Sequence, residues 1–201
     1  MTSRTRILVA ATALIATASL AAVAAAGTIT TFEFQRSSNT NSLLTIYRQD
    51  TLDGSILNQA SYRAGSGQNT NACDSAAYDN VGGWLPGGYY SLWGHWNNYT
   101  GSAVQGRVWR LQDKRCNGGT GTLRTELFIH TEETSAAEPS CVNPYIERAC
   151  WDGDRDYYSN GCIKISRGPT YAADMGRLHA NWDSWSGLHG AFTLSQRLYV
   201  Y

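Results

Sequence analysis

The chain has little charge and no excess of either sign. Of its 201 residues only 16% are charged, and sixteen Lys plus Arg balance sixteen Asp plus Glu. A phosphate-backbone binder needs a basic excess, so nucleic acid is excluded as an expected partner. With 42% hydrophobic residues the sequence also lacks the polar bias of a disordered chain. It contains no internal repeat or low-complexity tract, and its length suits one domain. Beyond the N-terminus no run is apolar enough to span a bilayer. Metal-ligand spacing is missing too, since His95, His179 and His189 include no pair one helical turn apart. Asp152-Gly153-Asp154-Arg155-Asp156 resembles the start of a calcium loop. Tyr157 and Ile163, however, stand where that loop needs its glycine and its final glutamate. The acidic stretch therefore reads as a solvated turn, and no metal or other cofactor is expected.

What is present begins with a leader. Arg4 and Arg6 precede an apolar run over 7–26 that ends in Ala24-Ala25-Ala26, the layout of a secretory signal peptide with a small-residue cleavage site. Cleavage is expected, the alternative being an uncleaved anchor. Residues 27–201 then form the single mature domain, with fourteen basic against sixteen acidic residues. An exported, extracytoplasmic protein of the cell envelope, monomeric and without stable membrane insertion, follows from this reading. In an oxidising compartment cysteines pair, yet there are five: Cys73, Cys116, Cys141, Cys150 and Cys162. One must be left over.

Short alternating strands dominate the rest. Phe32 and Phe34 share one strand face, and Leu44 and Ile46 share another. Asp53-Gly54 lies between 43–50 and 56–63, the arrangement of a hairpin. Residues 107–111 read as a strand, and so do 123–130, which carry His130 to their end. The polar segments 37–42, 64–72 and 117–122 read as loops. A helix after Pro169 places Ala172, Met175, Leu178 or His179, and Trp182 on one face. A last strand carries Phe192, Leu194, Leu198 and Val200. The expected class is mostly β, with one or two short helices.

Ser159-Asn160-Gly161-Cys162-Ile163-Lys164 carries the chemistry. A cysteine after glycine, opening an apolar strand, sits where the backbone turns sharply and its amides converge. A thiolate there attacks a carbonyl while the amides of Gly161 and Cys162, joined by Asn160, hold the oxyanion. His130 is the best-placed base of the four histidines. With Phe128-Ile129-His130 before that string, and Leu85-Pro86-Gly87-Gly88-Tyr89-Tyr90 and Gly65-Ser66-Gly67 upstream, the chain resembles the catalytic-domain family of L,D-transpeptidases of bacterial cell walls over 28–166.

The resemblance implies a β-sandwich and assigns Cys162 as nucleophile, His130 as general base and Ser159 as polar support. Gly161, Cys162 and Asn160 become oxyanion donors, and Thr131 and Lys164 substrate contacts. It further implies attack on the third residue of a peptidoglycan tetrapeptide stem, release of D-alanine, and transfer to a neighbouring stem. Hydrolysis, as an L,D-carboxypeptidase or amidase, is the alternative within the enzyme class, and a non-catalytic wall- or glycan-binding module the alternative outside it. Two positions depart from the family pattern: Asn160 replaces a histidine, and Lys164 replaces Asn or Arg. The gap from His130 to Cys162 is also longer than usual. Cys141 with Cys150, bracketing a short loop, and Cys73 with Cys116 are the expected disulfides, although four cysteines allow three connectivities. Cys162 then stays free. Trp84, Tyr89, Tyr90, Trp93, Trp96 and Tyr99 serve either as core or as a stacking surface, with about half expected in the core. Asn98-Tyr99-Thr100 fits a glycosylation acceptor, which a bacterial wall setting leaves unused.

Overall fold

The computed structural model describes residues 27–74, 82–101, 104–131, 154–166, 174–186 and 197–201. The leader, Cys141, Cys150, His189, Phe192 and Leu194 lie outside them. The first hairpin forms as its alternation dictates. Strand β1 (Thr28–Gln35) pairs antiparallel with β2 (Ser42–Asp50), setting Phe32 opposite Ile46 and Phe34 opposite Leu44. These apolar cross-strand pairs are fully buried, and the register is locked because a one-residue slip would expose all four. The hairpin across Asp53-Gly54 then joins β2 to β3 (Ile56–Ser66), with Gly54 at φ 73° in the turn.

Strand β4 (Gly88–Thr100) pairs with β5 (Gln105–Leu111), and the short β6 (Lys114–Arg115) and β7 (Leu123–Arg124) form a separate ribbon. Strands β8 (Phe128–His130), β9 (Ile163–Ile165) and β10 (Arg197–Val200) complete the main sheet. Its order is β1-β10-β4-β5-β8-β9-β3-β2, closed on itself as an eight-stranded barrel. The mostly-β class is thus as expected, but the sheet is a closed barrel where a sandwich was anticipated. Alternation reveals which face of a strand is buried and says nothing about whether two distant edges meet. Here the first and last strands pair in parallel, Phe32 beside Leu198 and Phe34 beside Val200, and that contact closes the sheet.

A barrel of this size is filled by its own side chains. Phe32, Phe34, Leu44, Ile46, Tyr90, Trp109, Ile129, Ile163 and Ile165 belong to one continuous core. The helix α1 (Asp174–Trp185) adds Met175, Leu178 and Trp182 to it, as the spacing predicted, while Ala172 of the same stripe lies outside the described residues. Trp182 stacks on Phe32 at 5.5 Å, and Asn181 Nδ2 donates to Tyr62 Oη at 2.6 Å, which fixes the helix against β3.

Two local expectations fail. Residues 64–66 belong to β3 and pair with β9 rather than forming a loop. The single strand anticipated over 123–130 is two strands, because Glu126 adopts φ 54° and breaks it. Arg124 before the break pairs with Lys114 in the ribbon, whereas Phe128 and Ile129 after it pair with β5. A left-handed glutamate is uncommon, and such conformations concentrate at functional sites.

Candidate functional site

The site is built where β8 and β9 run parallel, with Ile129 beside Ile163 and His130 beside Lys164. The isoleucines belong to the barrel core. Phe128, His130 and Lys164 alternate to the other face, where Cys162 packs with Phe128 and Val108 in a second buried cluster. Cys162 comes two residues before Lys164. Strand spacing and rise therefore put its backbone about 8 Å from that of His130. Sequence reasoning thus paired two residues that the fold does bring to one face. Both are buried, at 8% and 7% exposure.

Cys162 is the free cysteine among the described residues, and Cys73 is bonded to Cys116. The second expected pair, Cys141 with Cys150, lies outside the description. The Cys162 thiol donates to the carbonyl of Glu126 at 3.6 Å, so the broken strand supplies its resting partner. Burial pushes the thiol up to about 11, opposed by the Phe128 amide and by Arg124, Lys164 and Arg110. Burial likewise pushes His130 down to about 4, assisted by the Lys164 charge and opposed by its bond to Thr131. At neutral pH the pair is therefore thiol and neutral imidazole. His130 Nδ1 lies 2.8 Å from the Thr131 carbonyl, which has no proton to give. Nδ1 consequently carries the hydrogen and Nε2 keeps the lone pair of a base.

Ser159 holds the turn before Cys162. Its Oγ accepts from the amides of Gly67 at 3.0 Å and Gly161 at 3.2 Å, and donates to the Cys162 carbonyl at 2.6 Å. The Gly161 amide is thereby engaged inside the turn, which removes one of the three expected oxyanion donors. Gly161 has a different role. At φ 107° and with Arg124 Nη2 only 2.3 Å from the place a Cβ would occupy, this position admits glycine alone. The Asn160 side chain accepts from Gly82 N and Gln68 Nε2, each at 3.3 Å, and so anchors the turn from outside. Ser159→Ala is expected to strand two amides and one carbonyl, to lower the urea-unfolding free energy by about 2 kcal/mol, and to slow Cys162 alkylation. Unchanged urea and alkylation curves would contradict this.

Thr131 and Lys164, the expected substrate contacts, are both buried. Among the described residues the Thr131 hydroxyl has no hydrogen-bond partner, an orphaned group beside His130. Lys164 affects the pair through its charge. The residue that sequence reasoning missed is Arg124, 3% exposed, whose guanidinium donates to the Asn160 carbonyl at 2.7 Å. Its alternation with Leu123 and Thr125 gives no sign of burial, which only the packing of the β6–β7 ribbon against the turn of residues 159–162 creates.

The other motifs resolve without joining the site. Tyr90 is buried and donates to the Pro86 carbonyl, Trp84 and Tyr99 are partly buried, and Tyr89, Trp93 and Trp96 are exposed. The aromatic cluster is thus divided between core and surface. His95 and His179 meet at 3.3 Å between Trp109 and Trp182. Asp154 pairs with Arg63, so at least that member of the acidic turn is structural. The disulfide is of the kind that persists in oxidising compartments, and among the described residues no helix is long and apolar enough to cross a membrane. Comparison with protein-family profiles, with curated proteins and with solved structures returned no match.

Proposed function

We propose that this protein is an extracytoplasmic cysteine acyltransferase of the L,D-transpeptidase kind, acting on peptidoglycan tetrapeptide stems. The observation that carries the reading is the free, buried Cys162 on the same barrel face as a histidine whose Nδ1 is held by a backbone carbonyl. Cys162 attacks the carbonyl of the third stem residue as His130 Nε2 takes its proton. The amides of Asn160 and Cys162 face the oxyanion. Collapse of the tetrahedral intermediate expels D-alanine, whose amine takes the proton back from His130. An amine of a second stem then attacks the thioester and restores the thiol. Water in its place gives the carboxypeptidase outcome. The perturbed values support concerted proton transfer rather than a standing thiolate–imidazolium pair, since both groups are neutral between about 4 and 11.

The test is to incubate the mature protein with disaccharide-tetrapeptide and follow D-alanine and muropeptide dimers by mass. D-alanine with dimers indicates transfer, and D-alanine alone indicates hydrolysis. Intact substrate together with retained binding to sacculi would leave the wall-binding module in place of the enzyme. That module is favoured by one observation, the exposure of Tyr89 at 66% and Trp93 at 53%.

A further inference from the structure

Arg124 is charged and almost fully buried, a placement that side chains of its type adopt only with partners. Its partners are backbone carbonyls of three separate segments: Ala72 at 2.8 Å, Asn160 at 2.7 Å and Gly83 at 3.5 Å. A planar guanidinium holds several acceptors in fixed directions, which an ammonium does not. Each segment matters to Cys162. Asn160 belongs to the turn that presents the nucleophile, and Gly83 follows Gly82, whose amide donates to the Asn160 side chain. Ala72 precedes Cys73, whose disulfide to Cys116 ties that loop to the ribbon from which Arg124 projects.

The charges around the thiol come from different strands. Arg110 on β5 is already paired with Asp113 at 2.6 Å and donates to the Leu127 carbonyl. Lys164 on β9 stands beside His130 on β8, and its charge bears on both members of the pair. Arg124, with Tyr90 and Asp74 as its other titratable neighbours, is the cation bonded to the nucleophile's own turn.

We propose that Arg124 is the positioning residue of the Cys162 centre: it fixes the turn of residues 159–162 through the Asn160 carbonyl and supplies buried positive charge that favours the thiolate. This rests on the reading of Cys162 as nucleophile. Through the Ala72 carbonyl, the Cys73–Cys116 disulfide holds Arg124 in place. The substrate is not involved in this role, so a small electrophile can examine it.

The experiment measures iodoacetamide alkylation of the Cys162 peptide in the unreduced protein between pH 7.5 and 9.5, for wild type, Arg124→Gln and Arg124→Lys. Thiolate, and with it the rate, rises tenfold per pH unit over this range. In Arg124→Gln the whole line is expected to move about one pH unit upward, a tenfold slower reaction at any given pH. Arg124→Lys keeps the charge without the fork and is expected to move by less. A merely structural arginine would displace both variants alike, since each loses the fork, whereas the charge role keeps Arg124→Lys nearer the wild-type line than Arg124→Gln. A wild-type line in either variant overturns the proposal, and Arg124→Lys decides alone if Arg124→Gln does not fold. Cys162 that resists alkylation at every pH in the wild type would instead overturn the nucleophile reading.

Discussion

Replacing Cys162 with alanine is expected to reduce D-alanine release from disaccharide-tetrapeptide to the uncatalysed background. His130→Gln is expected to slow release by roughly 10²- to 10⁴-fold, the usual contribution of a positioned general base. The contrast follows from the roles proposed for the two residues. Without the sulfur no acyl-enzyme forms, whereas without the imidazole the thiol still reaches its thiolate form, slowly, as pH rises toward about 11. The glutamine variant should therefore regain rate with alkali, and the alanine variant should not. Folding does not confound the comparison. Cys162 packs in a small cluster with Val108 and Phe128, apart from the barrel core, so losing one sulfur atom there costs about 1 kcal/mol. Steady-state release rates between pH 6 and 10 check this expectation, and a Cys162→Ala protein that retains wild-type turnover would contradict it.

Acid is expected to destabilise the protein already above the range where carboxylates protonate. Two buried histidines, His130 and His179, and the partly buried His95 are held in neutral form. Burial holds His130 and His95 down to about 4 each, and holds His179 lower still, where His95 and Arg107 add to the effect. Asp183 pulls His95 the other way, and Lys164 pushes His130 down. In the unfolded chain these groups titrate at about 6.5. Between that value and about 4 the unfolded state binds protons that the folded state refuses, so stability rises with pH across this window and is lost as pH falls through it. Each group contributes about 1.4 kcal/mol per pH unit, and three together on the order of 4 kcal/mol per pH unit. Against a typical domain stability of roughly 5–15 kcal/mol, a large share of the stability should be gone by pH 5. Tryptophan fluorescence is a sensitive probe, since Trp109 and Trp182 flank the His95–His179 contact. Urea midpoints that stay flat from pH 7 to pH 5 would show that the histidines are not held neutral.

How much of this was legible in the sequence depends on the range of the interaction. Phe32 with Phe34, Leu44 with Ile46, and Met175 with Trp182 could be assigned to a buried face because period-two and period-3.6 spacing is local. The hairpin across Gly54 was legible for the same reason. Barrel closure was not, because the β1–β10 pairing joins residues more than a hundred and sixty positions apart and leaves no mark in either strand. At the site, parity and the Gly-Cys string singled out Cys162, and the disulfide Cys73–Cys116 agrees with it. The electrostatic surroundings were hidden. Arg124 and Glu126 alternate with Leu123, Thr125 and Leu127 as surface residues do, whereas in the fold Arg124 is buried and the carbonyl of Glu126, a residue of positive φ, accepts from the thiol. The Gly161 amide could be counted as an oxyanion donor only while the position of Ser159 Oγ was unknown.

The proposed chemistry requires a covalent thioester on one residue, and intact-mass spectrometry can detect it. The mature protein is mixed with disaccharide-tetrapeptide, quenched in acid within seconds, and weighed, then digested to locate any adduct. The account predicts a mass increase equal to the substrate minus D-alanine, carried by the peptide containing Cys162 and absent from Cys162→Ala. An unmodified Cys162 peptide at every quench time, in a protein that nevertheless releases D-alanine, would contradict it.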